Sequence, residues 1–434
     1  MQRRQFIPVA AAALSLGAQR ILGANDRVNV AIIGLGGRGN DHLTEFLNMG
    51  GVEISAICDV DPVSIEKAQG SIVAAGRPAA RQFSDMRRVF DLAGVHAVSM
   101  ATPNHWHALG AVWAMRAGKD VYCEKPASHD PTESRIMLEA ARRHGRMLQI
   151  GTQSRSLPHK MEAVELLRSG VIGEVYAAKG ICYKRRKSIG HKADSAAPKG
   201  VDWDAFLGPA PFRPFNELRF KYNWHWFWDT GNGDLGNQGV HQMDVARWGL
   251  GLPDNHGTLR SVAASGGKLV YQDDQETPNT LMSTFEFEGR QLTFEVRGLV
   301  AERVGGLGSP RGNCIGNIFY GADGWLELDD SAYRVYQGED HRLIREGRDQ
   351  TKSETAPHIQ NFLDAVKSRD YKSLRADIAI SGASADLCHF ANISYRVGRK
   401  LNWDAAQHKW CGDSEANSLM SRQNRAPYTW PESF

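Results

Sequence analysis

Three glycines and one carboxylate are the first residues whose spacing points to chemistry. Gly34, Gly36 and Gly39 stand at the spacing G-x-G-x-x-G in VNVAIIGLGGRG, where an apolar run meets a new helix. That spacing lets the backbone turn tightly, approach a pyrophosphate closely and pack the helix on its strand. The unpaired N–H groups at the positive end of the helix then face the phosphates. Alone, such a turn is an ordinary strand-to-helix connection. Asp59 changes the reading, because it ends a second apolar run, VEISAIC, 20 positions after Gly39. A carboxylate there holds adenosine ribose hydroxyls. It would also repel a 2′-phosphate, so the pattern favours NAD over NADP. Gly37 and Arg38 are assigned to the same cradle.

Two more polar blocks follow short apolar runs: Thr102-Pro103-Asn104-His105-Trp106-His107 and Glu124-Lys125-Pro126. Thr102, Asn104, His107, Glu124 and Lys125 are assigned to the cofactor side of a crevice, with Asn104 near the nicotinamide half. The HWH triplet would suit a metal, but no Cys or Asp cluster completes a site, so no metal is expected.

The elements that must position these blocks alternate strand and helix from residue 26 to residue 150. Parallel strands joined by helices give right-handed crossovers and a doubly wound sheet, with ligands bound beyond the strand carboxyl ends. Asp59, TPNHWH and EKP all fall at such ends. After Gly151 the rhythm changes. A long segment over 183–236, rich in Pro, Gly and aromatic residues, reads as irregular and functional. A helix over 239–250 follows. Six strands with short turns between 260 and 336 then predict an antiparallel sheet. Two helices, 356–368 and 376–401, come last. The fold class is therefore α/β, a Rossmann sheet followed by a second α/β domain. The expected divisions are a signal segment (1–24), a nucleotide-binding domain (25–150), a substrate-binding and oligomerisation domain (151–401) and an irregular polar tail (402–434).

The chain has 434 residues, of which 42% are hydrophobic and 23% charged, as in an ordinary globular protein. No window approaches the roughly 20 apolar residues of a membrane span. Arg3-Arg4 precede an apolar run over 6–16, and Leu22-Gly23-Ala24 resembles a cleavage site. This start reads as a twin-arginine export signal and implies a periplasmic protein. Its three arginines account for the whole net charge of +3, so nothing favours a nucleic-acid partner. Six cysteines form no C-x-x-C pair and demand no disulfide.

Taken together, the glycine turn, TPNH (102–105), EKP (124–126) and GDLGNQGVHQMD (233–244) resemble the Gfo/Idh/MocA family of oxidoreductases, over about residues 27–400. The resemblance implies a large open sheet in the second domain and NAD(P)-dependent chemistry on sugars, polyols or their derivatives. It also implies homo-dimers or homo-tetramers formed through that sheet. By motif matching, Lys125 corresponds to the active-site lysine that contacts substrate and the nicotinamide ribose. The second motif, often D-x-x-x-H, here reads Asn237-Gln238-Gly239-Val240-His241. The histidine is kept, but asparagine replaces the aspartate and cannot accept a proton.

Oxidising a sugar alcohol needs a base for the hydroxyl proton while hydride leaves for nicotinamide C4. His241 is the leading base, since imidazole titrates near neutral pH. Lys125 would hold the alkoxide, or act as base itself if burial lowers its pKa. Asp244, one helical turn from His241, would orient the imidazole, bind a substrate hydroxyl or serve the helix structurally. In Tyr222-Asn223-Trp224-His225-Trp226-Phe227-Trp228 an extended backbone would alternate the two faces. Trp224 would then offer a face to sugar C–H groups and His225 a bond to hydroxyls, with core packing as the competing reading. Lys184-Arg185-Arg186-Lys187 reads as a solvated loop before it reads as an anion site. Free NAD is not expected outside the cytoplasm, so an exported enzyme must keep its cofactor and return the hydride within one site. Three readings follow: a sugar oxidoreductase, a redox-neutral NAD-dependent glycosidase, and a non-catalytic sugar- or nucleotide-binding protein.

Overall fold

In the computed structural model, residues 27–308 and 312–431 are described; the export segment lies outside them. The first half runs β1 (Val28–Ile33), α1 (Gly37–Asn48), β2 (Val52–Cys58), α2 (Pro62–Ala74), β3 (Arg81–Phe83), α3 (Met86–Phe90), β4 (Ala97–Met100), α4 (Asn104–Arg116), β5 (Asp120–Cys123), α5 (Pro131–Arg143) and β6 (Leu148–Ile150). The six strands pair in parallel in the order β3-β2-β1-β4-β5-β6. The order reverses between β1 and β4, so a crevice opens where those two strands end. Helix starts are set locally. Asp61 and Asp130 cap α2 and α5 through the N–H groups of Val63 and Glu133, each with proline in the first turn.

The second half continues with α6 (Pro158–Arg168), β7 (Val175–Tyr183), α7 (Trp203–Leu207), α8 (Val240–Leu250), β8 (Leu259–Gly267), β9 (Thr280–Phe287) and β10 (Arg290–Arg297). Then come β11 (Cys314–Gly321), β12 (Gly324–Leu328), β13 (Ala332–Gln337), β14 (Arg342–Arg348), α9 (Ala356–Ser368), α10 (Ile378–Val397), β15 (Leu401–Asp404), β16 (Lys409–Trp410) and α11 (Ser414–Ser418). Ten strands form one sheet, β14-β13-β12-β11-β7-β10-β9-β8-β15-β16. Its pairs are antiparallel except β7 with β10, which run parallel. Phe285, Phe294 and Phe319 of its inner face pack with Val240 and Met243 of α8 and with Leu387 and Phe390 of α10. From α9, Ile359 and Phe362 join the core of the first sheet beside Val30 and Phe46.

Three expectations change here. The tail is not irregular: β15 extends the large sheet, and Trp410 is fully buried against Phe390 and Trp403. The strand β14 has no place in the sequence reading because its burial does not alternate. The aromatic run is not extended either. Residues Lys221–Trp226 wind into a 3-10 helix, so Trp224, Trp226 and Trp228 do not share a face. Trp226 is buried, while Trp224 packs at the edge of a cluster of Trp203, Phe206, Phe215 and Phe220. Among the described residues no helix is long and apolar enough to cross a membrane.

Candidate active site

The cofactor side is built by backbone. Gly34 has φ +82°, and a Cβ there would lie 2.7 Å from the Ala101 carbonyl oxygen. A Cβ on Gly39 would lie 1.8 Å from the Gly34 carbonyl oxygen, so only glycine lets α1 approach β1 this closely. Gly36 and Gly37 do the opposite job: a Cβ on either meets nothing within 4 Å, which leaves open space over the first turn of α1. Among the described residues no side chain caps that turn, so its N–H groups remain for an anion. At the end of β2, Asp59 accepts from Leu35 N at 2.6 Å and from Asp61 N at 2.8 Å. Burial raises its carboxyl pKa. Each oxygen keeps a lone pair for a ribose hydroxyl. At the end of β4, Thr102 Oγ1 and Asn104 Oδ1 are buried and find no partner among the described residues. Open space at the helix start, a strand-end carboxylate and two orphaned polar atoms fit a bound NAD.

Three residues assigned to cofactor contact are also engaged within the protein. Arg38 donates to Glu124 at 2.7 Å and to Thr355 at 3.1 Å. Glu124 also meets His42 Nε2 at 2.9 Å and accepts from the Lys125 N–H at 3.1 Å. Burial would raise the Glu124 carboxyl, but the Arg38 charge and the His42 bond outweigh it and hold the pKa well below the usual range. His107, 1% exposed, places one ring nitrogen 2.7 Å from the Pro126 carbonyl and the other 2.9 Å from that of Thr102. His107 thus fixes the loops after β4 and β5 against each other, while Arg38 and Glu124 tie the second of them to α1.

Lys125 stands at that junction, preceding Pro126 through a cis peptide bond. Its Nζ donates to the Asn237 carbonyl at 2.8 Å and reaches Asn237 Oδ1 at 3.4 Å. Asn237 lies in a π-helical turn, Leu235–Gly239, ahead of α8, and π turns free carbonyls from the regular ladder. Burial lowers the Lys125 pKa to about 8, against the pull of Glu124 and with help from Arg38 and Lys184. His241 and His225 are both lowered to about 3, chiefly by burial and further by the Lys125 charge. The two candidate bases differ: burial brings the Lys125 amine toward neutral pH and keeps the His241 imidazole neutral, as it does that of His225. Among the described residues no hydrogen bond engages the His241 ring, which leaves it free for a ligand.

Asp244 does not serve His241. It is fully buried and takes a bidentate pair from Arg155, at 2.7 and 3.0 Å, plus the Ser384 hydroxyl at 2.6 Å. Its role is to hold α8 to the segment before α6 and to α10. His225 Nδ1 lies 2.5 Å from the Tyr222 carbonyl, and Trp224 stacks on its ring at 3.6 Å. One face of Trp224 is thus taken by His225.

The basic run is only partly a solvated loop: Arg185 and Lys187 are exposed, while Lys184 and Arg186 are half-buried and engaged. Lys184 Nζ donates to Gln238 at 2.9 Å, and Arg186 makes a bidentate pair with buried Asp234 at 2.7 and 3.0 Å. His42 and Asp234, which bond Glu124 and Arg186, have no place in the sequence reading. For His42 a signal existed, since it sits on the buried face of α1 beside Leu43 and Phe46.

Comparison with known proteins agrees with this architecture. Residues 28–152 match a family model described as an oxidoreductase family, NAD-binding Rossmann fold. Residues 159–266 and 333–430 match its C-terminal alpha/beta domain. A glycosyl hydrolase family 109 protein from Stenotrophomonas maltophilia is 33% identical over 190 residues, 40% of this chain and 40% of that relative. Inositol 2-dehydrogenase 2 from Saccharopolyspora erythraea is 29% identical over 290 residues, 65% of this chain and 72% of the relative. Among solved structures, the WlbA dehydrogenase from Bordetella pertussis, in complex with NADH and UDP-GlcNAcA, superposes with a TM-score of 0.63 at 18% identity, covering 87% of this chain and 99% of that one. The two matched models, the two-sheet fold and the glycine cradle show that this chain belongs to the Gfo/Idh/MocA family of NAD-binding oxidoreductases.

Proposed function

We propose that this chain is an NAD-dependent oxidoreductase acting on a hydroxyl-bearing carbon of a sugar, polyol or related carbohydrate. One observation carries the reading: the Lys125 amine, with its pKa brought to about 8, is held by Asn237 between the cofactor crevice and His241. When bound, NAD supplies the hydride acceptor at the nicotinamide C4. The protein's own work is then proton management. Lys125 in its neutral form takes the hydroxyl proton, and neutral His241 offers a hydrogen bond to the same substrate. Asp59 favours NAD over NADP by repelling a 2′-phosphate. The test is a panel of sugars and polyols, inositols included, added to the purified protein while nicotinamide absorbance is followed. Reduction of bound cofactor by at least one member is expected; silence across the panel, with NAD present, sinks the reading.

A second reading, redox-neutral cleavage of a glycoside, is favoured by the glycosyl hydrolase family 109 relatives. Here a transient oxidation acidifies a neighbouring C–H, the glycosidic bond is eliminated, and the ketone is reduced again. Aryl glycosides separate the two: aglycone release without net absorbance change supports the second. We place the protein outside the cytoplasm through its twin-arginine start, which requires NAD to remain bound. Mass spectrometry of the purified, denatured protein should therefore find the nucleotide. We also infer a homo-dimer or homo-tetramer, which light scattering will test.

A further inference from the structure

The asparagine that replaces the motif's aspartate controls which way a neighbouring phenol can donate. The Lys125 ammonium and the Arg186 guanidinium hold only donors. Lys125 faces the Asn237 carbonyl and Oδ1, and this fixes the side-chain amide. Its Nδ2 then points away from Lys125 and donates to the Tyr222 hydroxyl oxygen at 3.1 Å. Arg186 Nη1 donates to the same oxygen at 2.9 Å. Both lone pairs of that oxygen are therefore filled by N–H groups, and neither neighbour can accept its proton. Half-exposed Tyr222 sits two hydrogen-bonding steps from the Lys125 amine, with its ring against His225 at 4.7 Å and Trp226 at 6.1 Å. Its O–H is left for the open side of the site.

We propose that Tyr222 donates a hydrogen bond to the reacting oxygen of the substrate, and that Asn237 is the positioning residue that turns the phenol outward. This rests on the reading of Lys125 as the group that meets that oxygen. A carboxylate at position 237 has no N–H to give. It would accept the Tyr222 proton and turn the phenol inward. With asparagine, two groups converge on one oxygen. The hydroxyl proton passes to the neutral Lys125 amine, the hydride leaves the carbon for bound nicotinamide, and the Tyr222 proton stays on Tyr222. The bond from Tyr222 strengthens as the oxygen gains negative charge, so it acts mainly on turnover.

The experiment uses the NAD-loaded protein and whichever panel sugar reduces the cofactor fastest. Tyr222→Phe should lower kcat by about 10²-fold, the scale of one lost donor to a developing oxyanion, with KM changed far less. Asn237→Asp should cause a similar loss, and Tyr222→Phe added to it should cost little more. In Tyr222→Phe the rise of rate with pH near 8 should persist, since Lys125 remains, whereas in Asn237→Asp the new carboxylate beside Lys125 should move the rise to higher pH; a merely structural defect would not separate kcat from KM in this way. A Tyr222→Phe enzyme within twofold of wild type overturns the proposal, as do losses from the two substitutions that multiply. If Lys125→Ala is inactive while Tyr222→Phe is not, only the tyrosine proposal fails. If Lys125→Ala keeps turnover, or no panel sugar reacts with the wild type, the underlying reading of the site fails with it.

Discussion

The two sides of the crevice are made in different ways. The cofactor side comes from residues close in sequence: the bond from Leu35 to Asp59 spans 24 positions, and Gly39 packs on Gly34. The substrate side is assembled from afar. Lys125 reaches Asn237 across 112 positions. A cradle made by one strand, one turn and one helix must repeat its spacing whenever it binds the same pyrophosphate. A substrate pocket made by remote segments is free to change one side chain at a time, as the Asn237 replacement illustrates.

The sharpest way to break this comparison is to remove Lys125. In Lys125→Ala, turnover should fall by about 10²–10⁴-fold, the range for a positioned base, while the nucleotide recovered from the denatured protein is unchanged. Loss of both together would mean that the two sides are not separable. In the wild type the rate of oxidation should climb with pH and level off above about 8. The sign follows from the base form being the neutral amine, which is scarce below the pKa. His241 and His225, held near 3, stay neutral throughout and add no limb across the neutral range. A plateau already reached in mildly acidic buffer would return the role of base to an imidazole.

Next in size is the buried pair under α8. Arg155→Ala leaves the fully buried Asp244 carboxylate with only Ser384, and breaking such a pair costs about 3–5 kcal/mol. Urea unfolding should show that loss, while kcat per folded molecule stays near wild type. If kcat falls and stability does not, Asp244 acts on His241 after all.

What can be read from the sequence follows the same divide. The first sheet, the glycine turn and Asp59 rest on local periodicity and spacing, so they are visible in a single chain. Lys125 and His241 come from short motifs, and the structure brings them together. The aromatic run misleads because Lys221–Trp226 is short enough to wind as a 3-10 helix, and alternation in the sequence cannot show that. Asp244 stays open in the sequence because a helical face shows which residues are neighbours, not that Arg155 arrives from another segment. The basic run misleads for a related reason: its partners, Asp234 and Gln238, lie about 50 positions away. The tail looks irregular because its buried residues, Trp403, Trp410, Ala416 and Tyr428, are widely spaced and follow no single period.

The smallest effect is the one that most refines the cofactor side. Asp59 uses one lone pair of each oxygen on the N–H groups of Leu35 and Asp61. A side-chain amide is nearly the same shape as a carboxylate, yet Asp59→Asn turns an NH₂ toward one of those N–H donors. One backbone bond is then lost as well as the charge. A hydrogen bond to a charged group contributes about 1.5–3 kcal/mol, so affinity for NAD should weaken by roughly 10–100-fold. Affinity for NADP should weaken less, because the carboxylate no longer repels the 2′-phosphate. Calorimetric titration of nucleotide-free protein with each dinucleotide measures the ratio. An unchanged ratio with both affinities reduced would mean that Asp59 only shapes the turn around Leu35. The local spacing of the cradle would then account for binding without choosing between the two nucleotides.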